Sequence, residues 1–227
     1  MKKKNLIALF MVFCLLLAGC GGTQENNDVT TAPTAELLDS ELASNAKTIS
    51  PLPDTTMETL TDAILSVSLK EGDAYVDDAG IMQMDLTIYA YDRYEMVDIA
   101  NLQVGDIIVR HSGEVTVTSI DRSETGMVSI NGGLDHEGFQ LVTDDSGLFY
   151  ESGFNDSKNW YPTGEATIRV SVDFVFTDSS DLDLGETIFY PGSFLIGEVT
   201  NYDFTPYNTT IRTEDGQIVE MIRRYIP

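Results

Sequence analysis

The chain reads as all-β: a sandwich or partly open barrel of short, mostly antiparallel strands. Three observations carry that reading. After Met57 apolar residues recur with period two, the pattern of half-buried strands. No segment after Thr56 sustains a helical period. Gly and Asp punctuate the alternation at turn positions, and Asp215-Gly216 joins two strand-like runs in one of the strongest hairpin signals a sequence offers.

Ala63–Lys70 alternates Ala63, Leu65, Val67 and Leu69 with Ile64, Ser66, Ser68 and Lys70, which gives a strand one apolar face. Ile81–Tyr91 places Met82, Met84, Leu86, Ile88 and Ala90 on one face and Asp85, Thr87, Tyr89 and Tyr91 on the other. Ile107–Arg110 and Glu114–Asp121 read as strands around a Ser112-Gly113 turn. Just ahead of them, Leu102-Gln103-Val104-Gly105-Asp106-Ile107 locally resembles a turn of the self-splicing intein (Hint) fold. Splicing needs a nucleophilic Cys or Ser opening the domain and a distal histidine block, and neither is found, so Gly105 reads as a tight turn between strands. Met127–Ile130, Phe139–Thr143 and Gly147–Tyr150 are shorter strands. Ala166–Phe176 is the clearest of all, with Ala166, Ile168, Val170, Val172, Phe174 and Phe176 on one face. Thr209–Glu214 and Gln217–Ile226 flank the final turn. These strands belong to a globular domain over residues 57–227, either one sheet system or two subdomains divided near residues 152–164.

Residues 20–56 differ in composition. They are rich in Thr, Asn, Asp, Glu, Ala, Ser and Pro, with scattered apolar residues. Such a stretch cannot repay its ordering entropy and reads as a disordered, acidic tether, apart from a short helix expected over Ala35–Ala46. Residues 1–19 are different again. Lys2, Lys3 and Lys4 precede an apolar run from Leu6 to Leu17. At about 12 residues this run is too short for a bilayer that needs ~20, and with its small-residue exit it reads as a secretory signal peptide. Leu17-Ala18-Gly19-Cys20 resembles the lipobox of bacterial lipoproteins. That resemblance implies cleavage before Cys20, acylation of its thiol, and attachment to the extracytoplasmic face of a bacterial membrane.

Cleavage leaves 208 of the 227 residues and removes three lysines, so ten basic residues face 37 acidic ones, a formal charge of −27. Nucleic acid is excluded as a partner, because phosphate binding needs clustered Lys and Arg. Docking of the folded surface onto anionic lipid is disfavoured for the same reason, so the lipid on Cys20 is the expected membrane attachment. Cys14 leaves with the signal peptide, and no cysteine remains for a disulfide, a thiolate metal site or a nucleophile.

The remaining candidates are few. His111 and His136 are the chain's histidines, and no G-x-S-x-G elbow accompanies them. Asp178, Asp181 and Asp183 present hard oxygen ligands at near-alternating positions, a set suited to Ca²⁺ without matching an EF-hand; no other cofactor is expected. Aromatic residues concentrate between Phe149 and Tyr161, where Tyr150, Phe154, Trp160 and Tyr161 alternate with amides and carboxylates. Flat rings beside polar groups can stack on the apolar face of a sugar and order its hydroxyls. Tyr202, Phe204 and Tyr207 around Pro206 form a smaller aromatic group of the same kind. The reading is therefore a non-catalytic module that binds an extracellular glycan, peptide or protein. Its rivals are an assembly subunit that pairs through exposed strand edges and an exported hydrolase using acidic residues.

Overall fold

The computed structural model describes residues 46–153 and 157–226. In chain order its strands are β1 (Thr48–Ile49), β2 (Ile64–Ser68), β3 (Ala74–Val76), β4 (Met82–Ala90) and β5 (Arg93–Tyr94). After helix α1 (Met96–Ala100) come β6 (Ile107–Arg110), β7 (Gly113–Thr116), β8 (Ile120–Arg122), β9 (Val128–Ile130), β10 (Phe139–Thr143) and β11 (Phe149–Ser152). The 19-residue β12 (Tyr161–Ser179) and β13 (Thr187–Phe189) precede helix α2 (Pro191–Leu195), and β14 (Thr209–Glu214) and β15 (Gln217–Arg224) close the chain.

Five of these strands form a closed circuit. β4 pairs antiparallel with β12 and with β2, β2 with β14, and β14 with β15, while β15 returns parallel to β12. The length of β12 makes closure possible. Its first half pairs with β4 from Tyr161 opposite Ala90 to Arg169 opposite Gln83, and its second half pairs with β15. β3 and β13 extend the barrel wall at β4 and β12. Alternate residues face inward, as a barrel requires. Leu65 and Val67, Met84, Leu86 and Ile88, Ile168, Val170, Phe174 and Phe176, Ile211, Ile218 and Met221 form one buried cluster. Phe194 of α2 and Phe204 of the following loop close it at one end. The all-β expectation and the faces of β2 and β4 are thus met in detail.

The alternation of β12 fails at one residue. Val172, expected inside, is 87% exposed. Between Val170 and Val175 the strand slips its register against β15, and Ser171–Asp173 bulge outward before Phe174 re-enters the core. Glu114–Asp121, expected as one strand, is two. The Asn131 side chain accepts hydrogen bonds from the amides of Thr118 (2.7 Å) and Ser119 (3.2 Å) and donates to the Thr116 carbonyl (2.9 Å), which takes these groups out of any ladder. The Asp215-Gly216 turn has φ of 49° and 72°, the doubly positive pair of a type I′ hairpin.

A second core is built from the chain segment that connects β4 to β12, joined by β1 from upstream. β5, β11, β10, β9 and β8 form one antiparallel sheet, and β1, β6 and β7 a second. Between them Ile49, Tyr94, Ile99, Leu102, Ile108, Val128, Ile130, Phe139, Leu141 and Phe149 are buried together. The chain leaves this unit after β11 and re-enters the barrel at β12. Its other border, at Tyr91–Arg93, is silent in the sequence because the alternation of β4 runs straight into β5.

The folded body also starts upstream of the expected boundary at Met57. β1 pairs parallel with β6, and Ile49 is 2% exposed. Asp106 anchors this start: its carboxylate accepts from the Lys47 amide and the Gln103 amide, both at 2.8 Å. The Gly105 turn, at φ 98°, positions that carboxylate. Residues 47–56 therefore belong to the folded body and not to the spacer. The short helix expected over Ala35–Ala46 and Cys20 both fall outside the described residues, except for Ala46 itself.

Candidate functional site

Where the two cores meet, the outer face of the barrel carries a groove of about 910 Å³. Its floor consists of side chains that period two turns away from the barrel core: Ile64 and Ser66 of β2, Tyr89 of β4 with Tyr91 just beyond it, and Thr210 of β14. One wall is the segment Leu52–Thr56, with Lys158 and Trp160 beside it; the other is Thr205–Tyr207 with Ile226. Ile64 and Tyr207 are largely exposed apolar surface.

Tyr91 is the organising ring. The Trp160 ring meets it edge-on with centroids 4.9 Å apart, and Tyr150 does the same at 5.7 Å. The Lys158 ammonium stands 4.1 Å from the Tyr91 centroid, 5.5 Å from Trp160 and 5.7 Å from Tyr150, and donates to the Tyr91 hydroxyl at 3.0 Å. Such contacts are each worth about 0.5–2 kcal/mol according to solvation, enough together to fix a lysine that would otherwise range freely. Arg93 lies two residues beyond Tyr91 in extended chain and so shares its face, while Asp92 and Tyr94 between and after them are buried.

The sequence-predicted aromatics do not act as one set. Trp160 lines the groove, and Tyr150 lies buried beneath Tyr91. Tyr161, adjacent to Trp160 on extended backbone, points elsewhere and stacks on His111 with centroids 3.8 Å apart at 6°. Burial pushes the Tyr161 hydroxyl up to about 12, and the Asp92 carboxylate, its hydrogen-bond partner, adds to the effect. Asp92 also accepts the His111 amide at 2.6 Å, so His111 serves the junction of the two cores. His136 is an exposed turn residue. Phe154 falls outside the described residues. Of the second aromatic group, Phe204 is core and Tyr207 reaches the groove. Sequence reasoning missed Lys158, Arg93 and the role of Tyr91; the only available signal was the continuation of the outward face of β4 through Tyr91 to Arg93.

The acidic loop is likewise divided. Asp178 is held by Arg223, whose Nε donates to Oδ1 at 3.0 Å and whose Nη2 donates to Oδ2. Burial works to raise the Asp178 pKa, but the hydrogen bonds from Arg223 and Ser180 outweigh it and hold the carboxyl below its ordinary value. Asp181 accepts the amides of Asp183 and Leu184 within its own turn, and Asp183 is exposed. No cluster of three or more His, Cys, Asp or Glu groups suited to a metal ion occurs among the described residues.

Compared with protein-family models, with curated proteins and with solved structures, the chain matches none.

Proposed function

We propose that this chain is an exported bacterial lipoprotein, anchored through lipid on Cys20, whose β-domain is a non-catalytic module that binds glycan in the groove between its two cores. The signal segment and lipobox support the anchoring. The groove carries the binding reading: Trp160, Tyr89, Tyr91 and Tyr207 lie along one depression large enough for a short oligosaccharide. The floor strands pair with one another only in part: β2 meets β14 over Ile64–Ser66 and β4 over Ser66–Ser68. Sugar rings need only flat apolar faces and a few polar groups.

Trp160 is the chain's sole tryptophan, so its emission reports on this groove alone. Titration with a panel of bacterial and host glycans is expected to shift the emission saturably with at least one of them. Replacing Tyr207 with Ala is expected to weaken that binding about tenfold, since one stacked ring contributes on the order of 1 kcal/mol. A chain whose emission and melting temperature respond to no glycan overturns the proposal.

One observation favours the assembly reading as a second function. Leu182, Leu184, Ile188, Tyr190 and Ile196 are largely exposed around β13, which among the described residues pairs only with β12. Apolar side chains beside an open strand edge are the surface an assembly subunit would use.

A further inference from the structure

Resting on the glycan reading of the groove, we propose that its ligand is acidic, a carboxylate-bearing sugar whose charge is received by Lys158 and Arg93. Charge is the first ground. In a chain of net charge −24, the described charged residues lining the groove are Lys158, Arg93 and a single carboxylate, Asp54. One oxygen of Asp54, its Oδ1, is taken up by the Thr56 amide at 2.9 Å.

The second ground is that both cations are left without an acidic partner. Lys47, Arg110, Arg212 and Arg223 each form an ion pair with a carboxylate. Among the described residues, Lys158 and Arg93 do not, nor do Lys70, Arg122, Arg169 and Arg224; Lys158 and Arg93 are the two of these that line the groove. Asp144, close enough to feel the charge of Lys158, directs its Oδ1 to Ser146 and to the Leu148 amide. Lys158 spends one donor on the Tyr91 hydroxyl and is positioned by rings that neutralise nothing. A cation held in place beside aromatic surface, with donors left over, is prepared for an anion brought by a ligand.

Third, the two cations are positioned around the same rings. Arg93 stands opposite Tyr150 across the β5–β11 ladder, and Lys158 bridges to Ser152, two residues further along β11. A sugar stacked on Trp160 would bring a ring carboxylate within reach of this end of the groove.

Calorimetric titration of the exported chain, residues 20–227 with Cys20→Ser to keep it free of lipid, tests the inference. The probes are a trigalacturonate, a hyaluronan hexasaccharide and sialyllactose, set beside the trigalacturonate methyl ester, a chitin hexamer and lactose. The expected result is that at least one acidic sugar binds tenfold or more tighter than its neutral counterpart, with affinity falling as salt rises. The preference should vanish in Lys158→Met and Arg93→Met and persist in Lys158→Arg, with melting temperatures showing that the variants fold. Equal binding of acidic and neutral partners overturns the charge inference and leaves the glycan reading standing. Binding of an acidic peptide such as hexaglutamate in place of any sugar overturns the glycan assignment. Failure of every sugar overturns both.

Discussion

Arg223 shows how a single residue changes the reading of a motif. Its side chain is 3% exposed, and it reaches Asp178, the Asn201 carbonyl at 2.6 Å and the face of Phe204, 4.3 Å from the ring centroid. The carboxylate at 178 was legible in the sequence only as part of an acidic run, because its partner lies 45 residues away. Alternating carboxylates look the same whether they await a cation or already have one. Asp178→Asn leaves a buried guanidinium without counter-charge and should cost about 3 kcal/mol, the low end for removing one partner, since the Asn201 carbonyl remains. The effect has a pH sign. Because the folded pKa of Asp178 is lowered, its contribution is present above the ordinary carboxylate range and is lost as pH falls through the folded value. Thermal unfolding of both proteins should therefore differ most near pH 7, and the gap should close below about pH 4. A gap independent of pH would sink the assignment.

At the scale of elements, the legible parts are those whose physics is local. The inward faces of β2 and β4 follow from alternation, and the β14–β15 hairpin from a dipeptide that tolerates two positive φ values. Two features were not legible because they depend on distant partners. β12 bulges at Val172, within its ladder with β15 and just past Arg169, where pairing passes from β4 to β15, and no property of Val172 itself announces this. Tyr161 and Trp160, neighbours in an aromatic run, part company because successive residues of an extended chain face opposite ways. β13 is the element whose role is most open to experiment. If its edge joins subunits, the wild-type chain at tens of micromolar should sediment above monomer mass, and Ile188→Lys should return it to monomer, since edge lysines block pairing. A monomeric wild-type chain removes the assembly reading.

The molecule as a whole is a barrel with a second core inserted between two of its strands, and residues 47–56 tie the two together. Leu52 donates its amide to the Arg93 carbonyl at 2.7 Å, β1 completes the sheet of β6 and β7, and Leu52–Thr56 forms a groove wall. A chain beginning at Met57 loses all three. It should melt well below one beginning at Ala46, by at least the roughly 2–5 kcal/mol of one vacated core side chain such as Ile49, and should lose glycan binding. Equal melting temperatures would refute this account of the N-terminal segment. The same arrangement has a mechanical meaning. For a protein held by its N-terminus and pulled by whatever occupies the groove, the line of force would enter at Lys47 and pass through β1 to the groove wall at Leu52–Thr56. That wall follows directly on β1, which is held by one short parallel pairing, the carboxylate of Asp106 and the burial of Ile49 in the second core. Under the proposed anchoring, tether and groove wall would be one piece of chain, so tension on the anchor would reach the second core through Ile49 and the groove wall through the residues just after it.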